Sequence, residues 1–231
     1  NAQFDYKFHF LPELRANLNV GYDLSSSKGH NNCDTIAAFT FRDGIGRKQT
    51  YTQTLKNQLL DFYLNYVKDL SAINSKIDIT AGYSWQYFYR EKEDIKQNLV
   101  APIKIDTTGY KSENYLVSFF GRINYTLLDR YLITFTLRND GSSKFGKDSR
   151  WGLFPSVALG WKINDEAFLK DVSWLSTLKL RLGYGITGQE NIGDPEKSYT
   201  YYPYLATYQS SSSTAQTQFG NTFINTSRPN P

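Results

Sequence analysis

The glycines Gly183, Gly185 and Gly188 carry the spacing G-x-G-x-x-G, with which backbone amides can cradle a pyrophosphate. That chemistry needs the glycines to follow a strand and open a helix. Here Gly183 and Gly185 fall in the polar register of an alternating stretch. Gln189, Glu190 and Asn191 follow with no apolar helical period, so the glycines read as small residues on a wet strand face or at a strand end. His30 and Cys33 could share a metal, but only His9 is left to join them, and the Gly/Ser/Asn-rich stretch Ser25 to Asp34 reads as loop. Cys33 is the single cysteine, which excludes an internal disulfide framework and a zinc site with several thiolates. Glu91, Glu93 and Asp94, or Asp165 and Glu166, could supply the carboxylate pair of a glycosidase. They read instead as solvated charge in a polar loop and at a helix start. There is no G-x-S-x-G, H-E-x-x-H or Walker loop. Of two glycosylation sequons, at Asn124 and Asn225, the first lies inside a strand pattern. Neither catalysis nor a metal or cofactor is expected.

The elements that must carry these residues show a period of two. From Leu14 to Leu24 every even position is apolar (Leu14, Ala16, Leu18, Val20, Tyr22, Leu24), and Arg15, Asn17, Asn19, Gly21 and Asp23 lie between them. The same alternation runs through Phe4–Phe10, Ile77–Tyr89 and Leu178–Ile186. It is rougher over 55–68, 115–127, 131–139 and 151–163. This predicts eight strands, several longer than the usual ~5–6 residues of globular sheets. The connections tend to alternate short with long: 11–13, 25–54, 69–76, 91–114, 128–130, 140–150, 164–176, then the tail from Gly188. Strands running up and down a wall, with tight turns at one end and large loops at the other, give this order, as in transmembrane β-barrels. Within 164–176 a helical turn is expected, capped by Asn164 or Asp165, with Glu166 near its start and Lys170 at its end. Asp43-Gly44 and Asp140-Gly141 read as turn or loop dipeptides, and Ser142 to Gly146 as a polar loop.

Magnitudes separate a barrel from a soluble sandwich. Trp151 and Trp161 share a face ten residues apart, about 33 Å along a strand. Tilted by about 40°, that spans about 25 Å, the height of the apolar band between two aromatic girdles. Trp85, Tyr87 and Tyr89 suit the outer girdle, Tyr125 and Tyr131 the inner one. The apolar faces carry almost no charge in mid-strand, whereas the opposite faces hold Asp61, Arg122, Lys179 and Arg181. Composition agrees: aromatic residues make up 16% and mean hydropathy is −0.52, as expected if half of each strand meets water. The charge of +4, from 26 basic and 22 acidic residues, is too small and scattered for a nucleic-acid partner. No apolar run is long enough for a transmembrane helix, and no leader is recognisable. A chain that opens at Asn1 and has no methionine reads as processed, or as a piece of a longer one. The tail tyrosines Tyr199, Tyr201, Tyr202, Tyr204 and Tyr208 could stack on sugar rings or form another strand with its girdle. Both readings stay open.

Phe119 to Thr126, Asp129 to Leu132, Leu137 to Gly146, Arg150 to Trp161, Glu166 to Leu169, Trp174-Leu175, Leu178 to Arg181 and Tyr184 to Gln189 form an ordered set of motifs. Together they resemble the SusC/RagA family of TonB-linked outer-membrane transporters. Asn57 to Tyr66 and Ala81 to Tyr83 look like the preceding strands. Arg228 to Pro231 looks like the start of the family's Asn-Pro-Asp stretch. The resemblance implies an antiparallel up-and-down transmembrane β-barrel of about 22 strands, of which residues 1–231 supply about eight. It also implies a plug and a TonB-contacting N-terminal region outside this chain, so that 1–231 is an internal part of the barrel domain. Further implications are outer-membrane lipid around the wall, a SusD-like surface lipoprotein as lid, and oligosaccharide or peptide cargo drawn in by the proton-motive force. Arg122, Lys179 and Arg181 are the candidate lumen residues toward cargo. Stretches 25–54, 91–114 and 188–231 are the loops offered to substrate or lid. The alternative is a soluble β-sandwich that binds glycans through aromatic loops.

Overall fold

The computed structural model describes residues 1–38, 44–100, 103, 105–169, 174–190, 192, 202–206, 208–210 and 216–229. Asp43, Lys170, Asn191, Tyr199, Tyr201, Asn230 and Pro231 lie outside the described residues. The main body is one antiparallel sheet of eight strands in sequence order: β1 (Ala2–Lys7), β2 (Leu14–Cys33), β3 (Arg47–Leu70), β4 (Ser75–Asn98), β5 (Ile105–Leu127), β6 (Tyr131–Ser142), β7 (Trp151–Lys162) and β8 (Lys179–Gly185). Two ribbons follow, β10 (Gln216–Phe219) with β11 (Thr222–Asn225), and β9 (Tyr208–Ser210) with β12 (Ser227–Pro229). The short N-terminal strand ends at Lys7, so Phe8 and Phe10 are not part of it.

The register places the alternating residues in continuous rows. Leu18 of β2 faces Phe62, which faces Tyr83, then Phe119. One residue along, Asn19 faces Asp61, Ser84, Ser118 and Asp140. Because the side-chain period is two, each face keeps one chemistry across strands from distant parts of the chain.

Two of the expected large loops are mostly strand. Residues 25–33 and 47–54 continue β2 and β3, and 91–98 and 105–114 continue β4 and β5. β3 and β4 each run 24 residues, against 12 for β6 and β7. Only about 10 are needed to cross a bilayer, so β2–β5 stand well beyond the apolar band. Asp140-Gly141 is not a turn but the end of β6. There the Gly141 backbone lies under the Trp151 ring, where a Cβ would come within 2.8 Å of it. Ser142 and Lys144, read as part of a polar loop, are buried.

The expected helix after β7 is a single 3-10 turn, Ile163–Asp165, with no side-chain cap. Glu166 does not start it but follows it. Its Oε1 accepts hydrogen bonds from the Tyr131 hydroxyl (2.6 Å) and Trp161 Nε1 (2.9 Å), and its Oε2 accepts one from Arg130 (2.8 Å). One carboxylate thus ties the ends of β6 and β7 to the turn, under the stacked Tyr131 and Trp161 rings. The two aromatic donors, with Arg130 adding to them, hold its pKa below the ordinary glutamate value of 4.5. A lowered folded-state pKa gives stability that is present above the unfolded value and lost as pH falls through the folded one. We therefore expect Glu166→Gln to lower the urea midpoint of the full-length receptor in detergent at neutral pH. The gap to wild type should close as pH drops below about 4.5. A gap that stays constant down to about pH 3 would show that the Glu166 charge is not what matters.

Candidate transport surface

Exposure on this sheet is inverted relative to a soluble protein. Phe119 is 52% exposed, while its neighbour Ser118, on the opposite face, is 1% exposed. Along β8, Leu180, Leu182 and Tyr184 are likewise exposed. On the other face Asn17, Ser84, Ser112, Asn114 and Ser142 are buried. Among the described residues no second sheet or helix covers the leucines, which a soluble sandwich would require.

The apolar face has defined limits. At one end Trp85 stacks on Tyr87, Tyr87 packs on Tyr115, and Phe119 stacks on Trp151. At the other, Tyr131 stacks on Trp161, and Tyr125 donates a hydrogen bond to Ser75. Between these rows the face is carried by residues such as Leu64, Ile79, Ile123, Phe135 and Val157, with no charge. Beyond the first row, charge appears on four neighbouring strands: Lys56 and Glu113 lie in one row with Tyr89, Glu91 two residues further out and Lys28 four. Tyr89 sits at that boundary, with the ammonium groups of Lys56 and Lys111 against its ring at 5.0 and 5.3 Å. Tyr89 thus stands at the outer edge of that girdle.

The polar face is knitted across strands. Ser84 donates to Asp61, Asn65 to Asp78 and Thr80, and Thr134 to Asn124. Arg138 grips Asp140 with Nε at 2.7 and 3.0 Å, donates to Ser118 at 2.9 Å and lies over the Phe120 ring. Arg122, Lys179 and Arg181 all lie on this face: Arg122 pairs with Thr80 and Thr136, Arg181 with Gly160 and Lys179 with Lys162. They do not converge on one another, and none forms an ion pair among the described residues. The residues missed by sequence reasoning are Lys144 and Glu190. Burial pushes the Lys144 amine down, and Glu190, 3.9 Å away, opposes that shift. Their partnership spans a turn and a tail, and no local spacing signals it.

The motifs with catalytic spacing come apart. His30 and Cys33 point to opposite faces of β2, being an odd number of positions apart. Glu91 and Glu93 share one face of β4 and Asp94 the other. Gly183 and Gly185 lie in β8, and the segment after it is not helical through Glu190. Among the described residues no group of three His, Cys, Asp or Glu could hold a metal. Of the tail tyrosines, Tyr202 hydrogen-bonds the Glu113 backbone and meets Tyr204 edge to face.

A single antiparallel sheet with an exposed apolar band, aromatic rows at both limits and a hydrogen-bonded polar face is the wall of a transmembrane β-barrel. Residues 1–227 match the family described as TonB dependent receptor-like, beta-barrel, and the chain belongs to that family. It is 43% identical to the TonB-dependent receptor SusC of Bacteroides thetaiotaomicron, over 99% of this chain and 22% of the relative, as the SusC/RagA resemblance implies. It is 38% identical to the TonB-dependent receptor P39 of Formosa agariphila, over 71% of this chain and 17% of the relative. Among solved structures, the RagAB peptide importer in its open-open state has the same fold. The TM-score is 0.76 at 18% identity, covering 94% of this chain and 24% of that one. The chain therefore spans about a fifth of the length of the curated relatives.

Adjacent residues of β6 test which face meets lipid. Phe135→Arg places a charge in the middle of the apolar band and should cost about 2–4 kcal/mol. Thr136→Arg places it on the polar face and should cost under about 1 kcal/mol. Equilibrium folding of the two full-length variants into lipid vesicles measures the difference, and equal costs would contradict the assignment of faces.

Proposed function

We propose that residues 1–231 form part of the barrel wall of an outer-membrane, TonB-dependent importer of oligosaccharides or peptides. The observation that carries this is the inverted exposure: the apolar side chains of the sheet face outward over a band of membrane height, and the polar ones are hydrogen-bonded inward. Membership in the receptor family and the likeness to SusC support it. The name of the RagAB structures, a peptide importer, supports peptide as one cargo class.

In this reading the chain's role is mechanical and not enzymatic. The apolar band seals against outer-membrane lipid. The polar face lines the lumen, where a charge costs little because water reaches it. Arg122, Lys179 and Arg181 are lumen cations available to cargo. The plug and the TonB-contacting segment belong to other parts of the protein, since the matched residues are barrel throughout. The raised ends of β2–β5 and the segment from Gly188 onward offer a surface to a SusD-like lipoprotein lid.

The test is uptake. Cells that carry the full-length receptor should accumulate a fluorescent oligosaccharide or peptide. Accumulation should stop when the receptor is deleted, when TonB is inactivated, or when the proton gradient is collapsed. Uptake that survives all three treatments would refute the importer.

A further inference from the structure

Where β5, β6 and β7 pass the outer aromatic row, their polar face holds a pocket of about 370 Å³. Leu116 and Phe154 give it an apolar floor, and Phe145, Asp140, Arg150 and Gln189 line its sides. The far wall is residues 188–190, which leave β8 and turn inward across β7. A Cβ at Gly188 would come within 2.5 Å of the Phe154 ring, so a larger residue there would have to displace that ring. Glu190 holds the wall in place: its Oε1 accepts from Asn114 Nδ2 (3.2 Å) and Ser142 Oγ (3.1 Å) and lies 3.9 Å from Lys144 Nζ. Lys144 is 8% exposed. The Glu190 side chain is 31% exposed, so the pair is only half-buried, and its use is to select one geometry rather than to add stability.

The charges of the pocket do not cancel. Asp140 is matched by Arg138 and Glu190 by Lys144. The exposed Arg150 guanidinium has no carboxylate in ion-pair range among the described residues. Asp148, in the same turn, forms no ion pair with Lys147 or Arg150 among the described residues. The next charge, Arg90 on β4, is also positive and acts on Lys144. An uncompensated guanidinium at the mouth of a pocket presents a fork that fits one carboxylate in bidentate geometry. β6 is paired on both sides up to Gly141, whereas β7 meets β8 only from Ser156 to Lys162. Beside the guanidinium fork the pocket offers the apolar floor of Phe154 and Leu116, which suits a compact ring that carries the carboxylate.

We propose that this pocket reads a carboxylate-bearing sugar residue of the cargo. Arg150 takes the carboxylate, the ring lies over Phe154 and Leu116, and Ser149 and Gln189 stand beside its hydroxyls. This rests on the importer reading and narrows its substrate class. The test uses the full-length receptor in detergent, titrated calorimetrically with a uronate tetrasaccharide, the same tetrasaccharide with its carboxyl groups reduced to alcohols, and an acidic tetrapeptide. Wild type should bind the uronate at least about ten-fold more tightly than its reduced form. Arg150→Ala should remove that preference, Arg150→Lys should keep only part of it because an ammonium lacks the fork, and Lys147→Ala should keep it whole. Equal affinity for both sugars, no uronate binding, a preference that survives Arg150→Ala, or Arg150-dependent binding of the peptide alone would each overturn the proposal. TonB-dependent uptake of a neutral or peptide cargo by the same receptor would then leave the importer standing without this subsite.

Discussion

A backbone that crosses hydrocarbon must satisfy every N–H and C=O within the protein, because no water is there to help. An antiparallel strand meets that demand only through a neighbour on each side. β2 to β7 each have two partners in the sheet, while β1 and β8 have one. The rest of the structure follows from this requirement. Once each strand is fixed beside its neighbours, alternate side chains have only two environments to choose from. The sequence divides them in the two central rows: Phe62, Tyr83 and Phe119 on one side, Asp61, Ser84 and Ser118 on the other. A slip of one residue would place Asp61 in lipid and Phe62 in the lumen, so the register is held by the solvent on both sides as much as by the hydrogen bonds.

The same division sets the height of the wall. The apolar face ends where charge first appears, at Lys56 and Glu113 beside Tyr89 and then at Glu91 and Lys28 further along their strands, and aromatic rings with polar edges mark the boundary just inside. At the opposite boundary Glu166 meets Tyr131 and Trp161 by their hydrogen-bonding edges. The rings can then sit at the interface with their polar atoms already satisfied. Beyond the upper boundary β2–β5 continue as strands, since in water the ladder remains favourable but the constraint on side chains has gone.

That change of solvent explains what was legible in the sequence and what was not. Leu14 to Leu24 reads as a strand because its two faces meet different media. Thr50-Tyr51-Thr52 and Glu91-Lys92-Glu93-Asp94 are just as extended, but both their faces meet water, so the alternation that identifies a strand is lost. Asp140-Gly141 reads as a turn from local propensity alone. Pairing with Ser118 and Val117, and the need for a bare backbone under Trp151, decide otherwise. The faces of Arg122, Lys179 and Arg181 were legible from parity, whereas their lack of ion pairs within the wall was not. Glu166 was visible as a charge near a turn. Its role depends on Tyr131, 35 positions away, and no local pattern carries that information.

The polar face shows that burial in such a wall does not follow hydrophobicity. Lys144 and the half-buried Glu190 are an expensive choice if the aim is stability, because taking the Lys144 ammonium out of water costs more than its attraction to a carboxylate 3.9 Å away returns. Their value is positional. Through Ser142 and Asn114 they fix a stretch of chain across strands that it does not follow in sequence, and so build a concave surface on a sheet that is otherwise one layer thick. A barrel wall has no second layer to supply a pocket. It must make one by folding its own connections inward, and a connection can be held over a polar face only by polar contacts. The paired charges above the membrane thus answer to the same rule as the leucines within it: each face of the sheet recruits the chemistry its surroundings allow.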